Sequence, residues 1–125
     1  MSRNIVHEGG PSDVIPWTNG TGSAVAAGAV VVLKHTIGIA LVDIPNGAVG
    51  SVAIGGVISG VAKVNTTAWL QGEKLLWDVS AAKFDNSAAT PATGDIMGGA
   101  IAWLAAGSSD TTGSIKLTPG NTTLT

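Results

Sequence analysis

Two histidines, eight carboxylates and six basic side chains are all that this 125-residue chain offers for acid–base, nucleophilic or metal chemistry. Cysteine is absent, which removes a thiol nucleophile, a thiolate metal site and any disulfide. Neither His7 nor His35 has a second histidine or an acid three or four residues on, so the helical metal-ligand pattern does not occur. There is no Gly-x-Ser-x-Gly elbow. Gly20-Thr21-Gly22 begins like a dinucleotide fingerprint, but Val25 stands where the third glycine belongs. Gly55–Gly60 is followed by Val61-Ala62 rather than Lys-Ser/Thr, so it is not a phosphate loop. The carboxylates are scattered and lie mostly beside turns, where they cap backbone N–H groups. No catalytic residue, cofactor site or metal site is expected.

The aromatic residues are the other group with chemical potential. They are Trp17, Trp69, Trp77, Trp103 and Phe84. Single-stranded nucleic-acid binders set such rings beside clustered basic residues. Here the six basic residues are dispersed and the net charge is -2, so no direct nucleic-acid contact is expected. Trp77 and Trp103 lie in the apolar runs Leu75-Leu76-Trp77 and Ala100–Leu104, and they are expected in the core with Leu75, Val79 and Ile101. Trp17 is expected at an interface, together with Arg3, Asn4, Ile5, Val6 and His7 of the N-terminal segment. Binding of a glycan by an exposed tryptophan is a further option.

The elements that position these residues follow from composition. Hydrophobic residues make up 45% of the chain and charged residues only 11%, with 18 glycines and five prolines. Glycine and proline interrupt the sequence every few residues, and the pieces between them are rich in Val, Ile and Thr. This excludes coiled coils and helical bundles and predicts short strands. Strands are predicted over 4–8, 13–17, 29–35, 38–43, 51–54, 57–64, 74–79, 82–85, 96–105 and 114–118. At most one short helix is expected, near 65–71, opened by Asn65 and closed by Gly72. Asn19-Gly20 and Asn46-Gly47 read as tight turns. Residues 44–62 carry no charge, yet Pro45-Asn46-Gly47 and four further glycines mark buried strands rather than a membrane span. No internal repeat is visible. The chain reads as an N-terminal arm (1–10), one β domain (11–118) and a C-terminal tail (119–125). So few charges imply either a surface that other copies or a partner would cover, or a compact β domain with a Thr/Ser-rich surface.

In order and spacing the chain resembles the cement, or head-decoration, proteins of tailed bacteriophages. The likeness runs through Asn4–Gly9, Gly28–Val32, Ile37–Ala40, Gly55-Gly56-Val57 and Ala62-Lys63-Val64. Its most specific part is Ala68–Asp78, and it closes with Asp95–Ala100 and Asp110–Leu117. The recombinase label attached to some members does not carry over, because the phosphate loop is missing. The resemblance implies an all-β fold, a small β-sandwich or barrel of jelly-roll-like form with extended termini. It implies a structural protein rather than an enzyme, on the outer surface of the virion capsid. There it would bridge major capsid proteins and stabilise the shell. It would act as a homo-oligomer, a trimer ahead of a dimer, with no membrane contact. The alternatives are a head-fibre base, a tail-associated β module or a glycan-binding module.

Overall fold

The computed structural model describes residues 13–125. Among these residues there are ten strands and no helix. They are β1 (Val14–Thr18), β2 (Val30–Leu33), β3 (Thr36–Ala40), β4 (Val49–Ala53), β5 (Val57–Ala62), β6 (Lys74–Asp78), β7 (Lys83–Asp85), β8 (Ile96–Ala102), β9 (Thr112–Leu117) and β10 (Thr123–Leu124). Two antiparallel sheets form, in the orders β1-β4-β3-β2 and β5-β9-β8-β6-β7, with β10 paired to β8. The all-β fold expected from the sequence is therefore present. Its strands do not alternate between sheets as in a jelly roll, because each sheet takes consecutive strands. The edges of the second sheet are joined by a parallel bridge, Lys63 to Phe84, with the Val64 N–H donating to the Phe84 carbonyl at 2.9 Å. That bridge brings the sheet close to a closed barrel.

Strand registers reveal a tandem duplication. In the first half Val30 pairs Ile39 and Val31 pairs Gly38, while in the second Lys74 pairs Ile101 and Leu75 pairs Ala100. Ala40 opposite Val52 corresponds to Ala102 opposite Ile115. The turns match as well. The Gly28 N–H donates to Ala40 and the Gly72 N–H to Ala102, and both glycines need positive φ (89° and 83°). Isolated bridges close both units, Val25 to Ile44 and Trp69 to Ala106. Thus β1-β2-β3-β4 repeats as β5-β6-β8-β9, and residues 79–95 with β7 are an insertion in the second copy. The expectation of no repeat is corrected here. The sequence hides the repeat because the identical residues are few and mostly small, among them Gly28 and Gly72, Ala40 and Ala102, and Gly50 and Gly113, and the insertion breaks the period.

Each unit has its own apolar cluster. Val31, Ala40, Ile44 and Val52 form the first, with Trp17, Val25 and Leu33 packed against it. The second gathers Trp69, Leu75, Trp77, Phe84, Ile96, Ile115 and Leu117, and it includes Ile37, Ile39 and Ala53 from the first half. The Trp77 and Phe84 rings lie 4.9 Å apart and tilted by 58°, a favourable edge-biased contact.

Several local expectations change. Residues 65–71 form a turn, not a helix. Trp69 exchanges two backbone hydrogen bonds with Ala106 (3.0 and 3.1 Å), and the Lys63 ammonium takes the Thr67 carbonyl that a helix would use. The strand predicted over 29–35 turns at Lys34-His35, where Lys34 has φ 59°. Asn19 is fully buried rather than a tight-turn residue. Residues 119–125, expected as a tail, return to the sheet. Thr123 pairs Met97, and the Gly94 N–H donates to the Thr125 carbonyl at 2.8 Å. A bulge at Gly98 permits this return, because a Cβ there would collide with the Asn121 carbonyl. The strand expected over 4–8 lies outside the described residues.

The glycine beneath each closing bridge supports a direct test. A Cβ at Gly113 would enter the Trp69 ring, and one at Gly50 would enter the Ile44 side chain. Trp69 is 1% exposed and has no room to yield. Gly113→Ala is expected to destabilise the protein by about 1–3 kcal/mol. Gly20→Ala, with no atom within 4 Å of the new Cβ, should change stability by less than about 0.5 kcal/mol. Denaturant midpoints of the two variants against the parent protein check this.

Candidate functional site

Six of the eight carboxylates are used within the fold. Asp43 accepts from the Ala27 N–H, Glu73 from Leu70 and Ser87, Asp78 from Ser80 and Ala81, Asp95 from Val79 and Ala92, and Asp110 from Gly107. Asp85 accepts from the Thr67 hydroxyl and the Asn86 N–H. Every one of these donors is a backbone N–H or a hydroxyl, and none is a lysine. Among the described residues no group of three or more His, Asp or Glu could hold a metal ion.

Two buried polar residues occupy equivalent positions in the halves. Asn19 donates through Nδ2 to the Ser23 carbonyl (2.7 Å) and the Ile44 carbonyl (2.9 Å). Lys63 stands at the matching place, 1% exposed. Its ammonium donates to the carbonyls of Val64 (2.8 Å), Thr67 and Asp110 (3.4 Å) and lies 5.8 Å from the centre of the Trp69 ring. Both side chains lock the loop that precedes the closing bridge. Sequence reasoning missed this role. The available signal was a single cation set between Val61-Ala62 and Val64, in a run otherwise free of charge.

The residues proposed for the core separate by strand position. Leu75 and Trp77 are buried. Trp103 is 45% exposed and Val79 38% exposed, which corrects both expectations. Along β8, Ala100 and Ala102 face inward, so Ile101 and Trp103 fall on the other side. The strand also ends at Ala102, and Ile101 is half-buried. Val79 would have faced inward, but β6 ends at Asp78 and Val79 begins the turn. Trp17 is half-buried against the first apolar cluster. Arg3, Asn4, Ile5, Val6 and His7 lie outside the described residues.

What remains on the surface is apolar and repeated. Leu41-Val42 and Trp103-Leu104 occupy equivalent positions just after β3 and β8, and all four side chains are exposed. Matching hydrogen bonds hold them there, from the Leu41 N–H to the Ser51 carbonyl (3.0 Å) and from the Trp103 N–H to the Ser114 carbonyl (2.9 Å). Beside Trp103 runs a groove of about 330 Å³, lined by Gln71, Gly72, Ile101, Ala102, Trp103 and Leu104. Leu70, on the turn that leads to this groove, is the most exposed large apolar side chain among the described residues. A second cleft, of about 360 Å³, lies between the halves, with Gly28, Ala29 and Val30 facing Val61, Ala62, Trp77 and Ala82. No titratable side chain lines either depression, so neither holds the parts of an acid–base or nucleophilic centre.

The turn carboxylates set the acid response. Burial opposes ionisation of Glu73, but hydrogen bonds from Leu70 and Ser87 outweigh it and hold its carboxyl below the ordinary 4.5. The Ala81 N–H, followed by the Ser80 hydroxyl, lowers Asp78 below its ordinary 3.8. A carboxyl lowered in the folded state contributes stability above its unfolded value, and that contribution is lost as pH falls through the lower folded value. Melting temperature is therefore expected to be insensitive to these two groups above about pH 5 and to fall below about pH 4. Glu73→Gln should flatten part of that acid limb, read from thermal melts between pH 3 and 7.

Comparison with known proteins agrees with this site-poor, apolar-surfaced architecture. The family model for phage cement protein matches residues 10–117, nearly the whole of the chain. No curated protein and no solved structure matches it. Membership in that family carries a structural role in the phage capsid, a location in the virion and association with capsid proteins. On this match, which takes in both repeated halves and the insertion within the second, the chain belongs to the phage cement protein family.

Proposed function

We propose that this chain binds the outer surface of the phage head, bridges neighbouring major capsid proteins and so stabilises the shell. The observation that carries the proposal is the cement-family match across both halves of the fold. The repeated exposed pairs, Leu41-Val42 and Trp103-Leu104, support bridging, since one chain presents a similar apolar contact twice. A homo-oligomer, a trimer ahead of a dimer, accounts for the low surface charge, because symmetric contacts would cover the remaining apolar area. Such a protein acts by burial and geometry rather than by catalysis.

Residues 1–10 act as an arm in this reading. Arg3, Asn4, Ile5, Val6 and His7 would add as a strand to an exposed edge of a capsid protein or a sister subunit, with backbone hydrogen bonds supplying most of the affinity. Trp17, half-buried near the start of the described fold, would anchor the base of the arm. Purified expanded shells free of cement protein provide the test. The full chain is expected to decorate them and raise their melting temperature. Deletion of residues 2–8 should abolish decoration and leave the melting temperature of the isolated protein unchanged. A truncated chain that binds shells at the parent affinity removes the arm from the mechanism. A full chain that does not bind shells overturns the cement function.

A further inference from the structure

The duplication identifies a sheet face that the chain leaves unpartnered. In the first half, Val30, Ile39 and Ala53 form one cross-strand row over β2, β3 and β4. That row is covered: Ile39 is 4% exposed, Ala53 6%, and both join the cluster built mainly by the second half. The equivalent row of the second half is Lys74, Ile101 and Lys116, over β6, β8 and β9. Here both lysines are exposed and Ile101 is half-buried. Ile101 also lines the groove rimmed by Trp103 and Leu104. An apolar slot thus lies directly beside two cations, since cross-strand neighbours stand about 5 Å apart.

We propose that this face, the Lys74–Ile101–Lys116 row with the Trp103–Leu104 groove, is the docking surface for an acidic protein surface that offers an apolar side chain to the groove. The inference rests on the cement function and assigns the contact to one face of the second half. Charge selects the occupant. The carboxylates of this half are engaged by backbone N–H groups and hydroxyls of their own loops, whereas Lys74 and Lys116 project from the sheet with no carboxylate among the residues lining the adjacent groove. A second copy stacked in the manner of the two halves would bury both ammonium groups against an apolar surface, at a desolvation penalty with no compensating partner. A partner bearing carboxylates at the rim avoids that penalty. The apolar slot then holds the complex together, while the lysines accelerate encounter.

The two contributions separate kinetically. Binding of the full chain to immobilised, cement-free expanded shells is measured at low and at ~1 M salt, where the screening length falls to about 3 Å. Lys74→Glu with Lys116→Glu is expected to slow association about tenfold at low salt and to remove most of its salt dependence. Trp103→Ala is expected to raise the dissociation rate about tenfold or more. The control, Lys34→Glu with Lys83→Glu, changes two exposed lysines away from the row and should stay within about twofold of the parent. Melting temperatures of all variants should match the parent, and Trp103→Gln replaces the alanine variant if that one melts early. The proposal requires both effects. Parent-like association of the lysine variant, or parent-like dissociation of the tryptophan variant, overturns it while shell binding by the parent upholds the cement function. Tight binding of the parent to duplex DNA, lost in the lysine variant, overturns the assignment to a protein partner. Failure of the parent to bind shells overturns the cement function and this inference together.

Discussion

The contact on which the structure depends is the seating of β3 from the first half on β8 of the second. Ile37 lies so close to Gly99 that a Cβ there would stand 2.7 Å from its Cγ1. A four-stranded sheet of this size has two faces and too little chain to cover both. The first half covers one face with its own loops, closed by the Val25–Ile44 bridge, and gives the other face to the second half. The second half has β7 in addition, which carries its sheet round toward Lys63 at the end of β5, and the returning β10, which pairs the start of β8. The two copies therefore play different parts: one is completed by its neighbour, and the other is completed by an insertion.

That difference explains how equivalent positions diverged. The closing bridge needs one large side chain over a glycine. In the first half it comes from Ile44 over Gly50, and in the second from Trp69 over Gly113, on the opposite partner of the bridge. The loop before the bridge needs a buried donor for its carbonyls. Asn19 supplies it with a neutral amide and Lys63 with an ammonium that reaches further, to the 107–111 turn. The geometry and the glycines that permit it (Gly28 and Gly72, Gly50 and Gly113) have been kept while the large and polar side chains around them have been exchanged, so little sequence identity remains between the halves.

These exchanges also set what could be read from the sequence. Strand positions were largely legible, because alternation and turn residues act locally: the spacing of Leu75, Trp77, Ile115 and Leu117 predicts strands over 74–79 and 114–118, and they are found at Lys74–Asp78 and Thr112–Leu117. What failed depended on partners distant in sequence. Trp103 was read as core from the hydrophobicity of its neighbours, but side-chain parity with Ala100 and Ala102 puts it outside. The helix at 65–71 was excluded by Lys63 and Ala106, neither of which a local window can weigh. The repeat was hidden by the insertion, and the C-terminal return depends on a bulge at Gly98 that meets residues more than twenty positions later.

The distribution of charge connects this architecture with function. In a chain with 11% charged residues, each ionic group has a marked effect on what the surface can bind. Six of the eight acids point into turns, where their carboxylates satisfy N–H groups that short loops would otherwise leave unpaired. One lysine is drawn inside to do the same for carbonyls. The remaining lysines stand outward, and two of them replace Val30 and Ala53 at the positions where the first half is covered. Had those positions stayed apolar, the face of the second half could accept another unit as readily as the first half accepts the second, and stacking of that head-to-tail kind does not close. Lysines at the row oppose such continuation, because covering them with an apolar face would strand two charges. They also leave an apolar slot that a partner with matching acidic groups would cover without stranding a buried charge, so the two residues that oppose this one mode of stacking are those that the proposed docking surface uses to select its partner.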